Sequence, residues 1–240
     1  MSRIYQAFQR ALLRLSKRFS RAGLYEWLNE VVSSIPSSEK NVVLSVGAGG
    51  DVSELIGRRI GARVTEVDID PARKPDIVAD VCDMNMFADQ SVDVIFMVEV
   101  LEHVKTPQRA LDEMHRVLKP GGKLYASTNG MRHLKEIDDL IIGFRGGTRP
   151  IASVITMFNL DTGQDVLARH FARVDIDRQA NALRIIDPEA LTAFCLSITR
   201  AAIPEQSHPA FASYVAQHVQ AHGGTLHIEK DAGLFVAMKG

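Results

Sequence analysis

The 240-residue sequence has only two cysteines, Cys82 and Cys195. That excludes a disulfide framework and points to a reducing, cytoplasmic setting. Charge of one sign is also lacking: 28 Lys and Arg against 29 Asp and Glu leave a formal net charge of -1. Attraction to nucleic acid normally shows as a basic surplus, so nucleic acid is not an expected partner. No apolar run approaches the roughly 20 residues that a membrane-spanning helix needs. The longest, Ile151 to Leu160, is interrupted by Ser153, Thr156 and Asn159. Internal repeats and low-complexity tracts are missing too. What is present, 46% hydrophobic and 24% charged residues, suffices for one core, or one core with a small subdomain.

Acids are missing from the first 25 residues. Arg3, Arg10, Arg14, Lys17, Arg18 and Arg21 all precede Glu26. Ile4, Phe8, Leu12, Leu15 and Phe19 recur at helical spacing, which predicts a basic amphipathic helix. Three readings compete for it: a lid or packing helix, a peripheral membrane contact through residues 1–21, and a removable targeting segment. Residues 1–38 are accordingly expected to form a helical cap, ahead of a main domain over 39–240. The turn-rich joint Ser33-Ser34-Ile35-Pro36-Ser37-Ser38 separates the two.

Apolar runs predict strands over residues 41–46, 62–67, 76–79, 92–98, 123–127, 173–177 and 234–239. The fourth, Val92 to Val98, is apolar apart from Asp93, as suits a strand covered on both faces. Helices are predicted over 106–118, 133–144, 161–170, 187–200 and 208–222. Pro107 stands at the start of the first of these, and Pro120-Gly121-Gly122 just past its end. The stretch from Gly143 to Pro150 reads as a loop. Strands alternating with helices at this pitch predict an α/β, doubly wound, mostly parallel sheet that binds ligands at the carboxyl ends of its strands.

The glycines and acids fall at those ends. Val46 runs into Gly47-Ala48-Gly49-Gly50, a strand–glycine loop–helix pattern, and the next strand closes on Asp68. A carboxylate there can accept hydrogen bonds from both hydroxyls of a ribose; the competing role is a turn residue before Pro71. A nicotinamide-dependent oxidoreductase would need a further glycine at Val52.

Val98-Glu99-Val100-Leu101-Glu102-His103-Val104, followed by Arg116-Val117-Leu118-Lys119-Pro120-Gly121-Gly122-Lys123-Leu124, is specific in combination. Here the sequence resembles the class I S-adenosylmethionine-dependent methyltransferases of the ubiquinone/menaquinone-biosynthesis type. The resemblance is firm from about Val42 to Thr128 and looser beyond. It implies a Rossmann-like methyltransferase fold with S-adenosylmethionine as cofactor. Gly47, Ala48 and Gly49 would line its methionine and sugar end, and Asp68 would hold its ribose. Asp80 would face the adenine amino group or else cap a loop, with Ile69 and Val81 against the ring. Glu99 would contribute backbone contacts near the methionine. The pattern departs from the family at Ser45, where an acid is usual, and at Asp51, where a third glycine is usual; a serine can still accept a hydrogen bond. These departures keep a non-catalytic cofactor-binding protein as the alternative.

The resemblance implies methyl transfer to an O- or N-nucleophile of a small-molecule acceptor, lipid- or sugar-linked if the basic helix touches membranes. Such transfer needs alignment above all, and a base only for a protonated acceptor. His103, which follows the fourth strand, and His133, with Glu136 on the same predicted helix face, are the candidates for a base or an acceptor-positioning residue. The competing role for His103 is a helix-turn residue bonded to the backbone. Substrate-capping segments are expected near 130–160 and 187–222. His218, His222 and His227 have no acid or cysteine at ligand spacing, so no metal site is expected.

Overall fold

A computed structural model describes Glu26 and residues 28–36, 38–47, 51–148, 157–197 and 203–240. The amphipathic segment over residues 1–21, and Ala48, Gly49 and Gly50, lie outside the described residues. The chain divides into two compact units. The larger holds the described residues up to Met131, those between Ala152 and Gln179, and Ala232–Gly240; the smaller holds those between Arg132 and Ile151, and Ala180–Asp231.

The larger unit is organised by a seven-stranded sheet of order β3-β2-β1-β4-β5-β7-β6. Its strands are β1 (Val43–Val46), β2 (Val64–Asp68), β3 (Ile77–Val78), β4 (Val92–Val98), β5 (Leu118–Asn129), β6 (Arg173–Ile185) and β7 (Leu226–Met238). The pairs among β1 to β5 are parallel, and β7 runs antiparallel to β5. This is the expected doubly wound, mostly parallel fold.

The apolar runs of the central strands follow from burial on both faces. Along β4, Ile95 and Met97 enter one core, while Val94 and Phe96 enter the other. The same alternation continues in β5 with Leu124 and Tyr125, and in β7 with Phe235 and Leu234. Phe96 and Tyr125, neighbours in register, stack at 5.0 Å. Helix α1 (residues 28–33) and α2 (Asp51–Ile60) cover one face through Leu28, Val32, Ile56 and Ile60. Helix α3 (Pro107–Val117) covers the other through Ala110, Leu111, Met114 and Val117, which recur every three or four residues. Pro107 opens α3, where a missing N–H costs nothing. Buried Lys239 closes it: Nζ donates to the carbonyls of His115 and Leu118 at 2.7 and 2.8 Å. Asp93, the one acid of β4, accepts from the Val42 N–H and from Lys119 Nζ, both at 2.8 Å.

The smaller unit has its own core. Helices α4 (Lys135–Arg145), α6 (Pro188–Ser197) and α7 (His208–Ala221) bury Ile137, Leu140, Ile141, Leu191, Cys195, Phe211, Val215 and Val219 against Leu226 and Ile228 of β7. Phe144 meets Phe211 edge to face at 5.1 Å.

Several boundaries depart from the sequence reading. Strands β6 and β7 span 13 residues each, far longer than the five and six expected. In β7 the added residues include Glu229, Lys230 and Asp231, whose charges break the apolar pattern although Lys230 and Asp231 are buried. Helix α4 continues through Gly143 to Arg145, where a loop is expected. The helix expected over 161–170 is only the five-residue α5 (Gly163–Leu167).

Candidate active site at the carboxyl edge of the sheet

Parallel pairing brings the ends of β1, β2 and β4 into register, because Val46 lies beside both Val67 and Met97. The loops that follow therefore leave from one edge. Gly47 is the first residue past β1; its N–H donates to the Val67 carbonyl at 2.9 Å. Its φ is +83°, and a Cβ placed there would lie 2.5 Å from Val100 Cγ2. Both the left-handed backbone and the close approach of Val100 demand glycine.

Asp68 ends β2 and is 8% exposed. Its Oδ1 accepts the Asp70 N–H at 2.8 Å, and Arg73 Nε stands 3.7 Å from Oδ2. The carboxylate is thus held in a fixed orientation at the strand end. Beside it Ile69 is 67% exposed, an apolar side chain that the local fold turns to solvent. Asp80 lies past β3 and caps its own turn, Oδ1 accepting the Cys82 N–H at 2.8 Å. The loop-capping role is therefore present in the structure. Val81, next in the chain, is buried in the core that also contains Met84.

Ser45 is buried within β1, and its Oγ accepts from Ser53 Oγ of α2 at 2.9 Å. The serine that stands where the family carries an acid ties strand to helix. Glu99 follows β4 with φ +55°, uncommon for a residue with a side chain. Its N–H donates to the carbonyl and the Oγ of Ser127, at 3.2 and 3.0 Å. The paired ends of β4 and β5 thereby fix this left-handed turn.

His103 ends the 3-10 turn Leu101–His103, is exposed, and donates its backbone N–H to the Val100 carbonyl at 2.9 Å. His133 belongs to the smaller unit, so the two histidines lie in different units. Its Nδ1 accepts the Asp231 N–H at 3.2 Å. The expected His133–Glu136 arrangement on one helix face is not found. Leu134 has φ +55° and α4 begins only at Lys135, while Glu136 accepts the Glu229 N–H at 3.0 Å.

Two polar side chains that the sequence did not single out stand at the same edge. Glu102 is 7% exposed and Thr128, at the end of β5, is 2% exposed. Glu102 Oε2 and Thr128 Oγ1 are the buried side-chain polar atoms without a hydrogen-bond partner among the described residues. Burial, with a smaller push from Glu99, raises the Glu102 carboxyl to about 8 against the pull of its own backbone and of Thr128. The signal in the sequence was faint: an acid flanked by Val100, Leu101 and Val104.

Comparison with known proteins relates the chain to methyltransferases. Residues 44–126 match the model of a methyltransferase domain. Over 100 residues the chain is 36% identical to a ubiquinone biosynthesis O-methyltransferase of Xanthomonas oryzae pv. oryzae, covering 36% of this chain and 42% of the relative. Over 135 residues it is 35% identical to a demethylmenaquinone methyltransferase of Tropheryma whipplei, covering 51% and 54%. The chain spans about half the length of these curated relatives. A solved S-adenosylmethionine-dependent methyltransferase of Archaeoglobus fulgidus shares the fold at TM-score 0.55 and 15% identity, covering 91% of this chain and 94% of that one. So does Haemonchus contortus phosphoethanolamine N-methyltransferase 2, solved with S-adenosyl-L-methionine, at TM-score 0.53 and 14% identity, covering 90% and 52%.

The residues present fit that cofactor. Asp68 offers an oriented, buried carboxylate suited to a pair of hydroxyls. Exposed Ile69 offers an apolar face beside it, and Gly47 leaves room at the turn.

Proposed function

We propose that this chain, built on a class I S-adenosylmethionine-dependent methyltransferase domain, transfers a methyl group from S-adenosylmethionine to an O- or N-nucleophile of a small-molecule acceptor. The observation that carries the reading is the oriented Asp68 carboxylate with exposed Ile69 beside it, one strand away from the Gly47 turn. The relatives' names, one of them an O-methyltransferase of ubiquinone biosynthesis, favour a small oxygen acceptor. The bound cofactor supplies a methyl carbon already activated by its sulfonium. The chain's own task is to hold, orient and exclude water.

In this reading Asp68 binds the ribose hydroxyls, Ile69 and Val81 flank the adenine, and Asp80 faces its amino group. Gly47, Ala48 and Gly49 line the sugar and methionine end. Ser45 and the Glu99 backbone serve the methionine. His133, whose Nδ1 accepts the Asp231 N–H, is assigned acceptor positioning rather than proton removal. His103 is the more accessible of the two histidines. Acceptor choice is assigned to the segments near 130–160 and 187–222. Residues 1–21 are assigned a peripheral membrane contact when the acceptor is lipid-linked, and the protein a cytoplasmic place. No helix among the described residues is long and apolar enough to cross a membrane.

The test is release of S-adenosylhomocysteine from S-adenosylmethionine in the presence of phenols, catechols and amines. Turnover with one class is expected. Binding of S-adenosylhomocysteine without turnover on any would favour the second reading, a cofactor-binding protein without catalysis. That reading rests on Ser45, bonded to Ser53 where an acid is usual, and on Asp51 where a third glycine is usual.

A further inference from the structure

Glu102 and Thr128 pose a physical problem that the cofactor site does not answer. Leaving a buried polar atom without a partner is costly, so native structures rarely keep one without a reason. Here there are two, a carboxyl oxygen and a hydroxyl, and the Thr128 side chain acts on the Glu102 carboxyl. Glu102 lies on the turn that follows β4 and Thr128 near the end of β5, and these strands pair up to Val98 and Ser127. The 3-10 turn carrying Glu102 packs on α3 and β5. The charged group acting on the carboxyl is Glu99, which opposes its ionisation. Among the described residues no Lys or Arg pairs with it, as a purely structural buried carboxylate would require.

We propose that Glu102 is the proton acceptor for methyl transfer, with the Thr128 hydroxyl as the group that positions it. This rests on the methyl-transfer reading above. A hydroxyl acceptor brings one proton that must leave. As its oxygen forms the new bond to carbon, the carbon–sulfur bond breaks with its electron pair remaining on sulfur. The acceptor's proton passes to the Glu102 carboxylate, and Glu102 later returns it to solvent. A carboxyl titrating near 8 is matched to this task, because a base works best when its proton affinity lies close to the working pH. Thr128 supplies a hydroxyl that both donates and accepts, able to hold the carboxylate or relay the proton.

The experiment titrates the full chain, labelled with carbon-13 at glutamate carboxyls, with and without S-adenosylhomocysteine. One resonance titrating near 8 is expected, absent in Glu102→Gln and displaced upward in Thr128→Val. With catechol as acceptor, Glu102→Gln should lower kcat about 100-fold or more, leave KM for the cofactor unchanged, and remove the alkaline rise of the pH–rate profile. Glu102→Asp should recover part of the rate. Absence of any carboxyl titrating above 6, in a chain that binds S-adenosylhomocysteine, overturns the proposal and leaves the methyl-transfer reading standing. Failure of the wild-type chain to bind S-adenosylhomocysteine overturns that reading first. A wild-type rate that EDTA abolishes and magnesium restores would make Glu102 a metal ligand instead, and the proposal would fall.

Discussion

The two units of this chain solve burial differently. In the larger, β1, β4 and β5 hide apolar side chains on both faces, and the polar residues gather at one edge, where the strands end. In the smaller, three helices bury one apolar face each, and charge runs through the adjoining strand: Arg132 pairs with Glu229 at 2.7 Å, and Lys230 and Asp231 are buried. A sheet covered on both sides has only its ends left for chemistry, so its functional positions are few and fixed by topology. A helical unit has no such constraint. It can change its surface while keeping its core, which suits the role in acceptor choice proposed for it. The matched methyltransferase domain, residues 44–126, lies wholly in the larger unit.

The contrast can be broken from the helical side with the largest expected effect. Phe211→Ala removes a fully buried ring that meets Phe144 and Tyr214, and should cost about 3–5 kcal/mol. Chemical denaturation should show this loss, with affinity for S-adenosylhomocysteine changed less than threefold. An equal loss of cofactor binding would show that the two units do not divide the work. On the sheet side, Gly47→Ala places a Cβ 2.5 Å from Val100 at φ +83°. It should destabilise by about 1–3 kcal/mol and weaken S-adenosylhomocysteine binding as well, both readable in one calorimetric series.

Glu102 sharpens the comparison through pH. Its folded value, about 8, lies above the unfolded 4.5. Between those values the unfolded chain has released a proton that the folded chain keeps. Stability contributed by this group is therefore complete below 4.5 and declines as pH rises toward 8. The slope is at most about 1.4 kcal/mol per pH unit. Glu102→Gln should flatten that decline in thermal melts between pH 5 and 8, and an unchanged slope would remove the buried-carboxyl account. The smallest effect belongs to Arg132→Ala. Its bridge to Glu229 is largely exposed on the arginine side, and the loss should stay within about 1 kcal/mol in the same melts.

The strands nearest the site were legible because burial on both faces writes continuous apolar runs between glycine and acid loops. Val92–Val98 was placed to the residue. Strands β6 and β7 were legible only in part, since the alternation of Arg173 to Asp177 gives way to Arg178-Gln179 in the one, and Glu229, Lys230 and Asp231 in succession break it in the other. Gly47 and Asp68 could be picked out because a glycine turn and a strand-end acid are local signals. Glu102 could not, because its importance lies in the burial of Oε2, and burial depends on what α3 and β5 bring to it. His133 shows the opposite error. The spacing to Glu136 suggested one helix face, and the left-handed Leu134 breaks the helix between them.

The central claim is that the carboxyl edge of the sheet holds S-adenosylmethionine through Asp68. Calorimetric titration of S-adenosylhomocysteine into the wild-type chain and into Asp68→Ala tests it most directly. The account predicts micromolar binding by the wild type and a loss of at least about tenfold, roughly 1.4 kcal/mol, in the folded variant. Equal affinity in the two proteins, or no binding by a folded wild type, would contradict it.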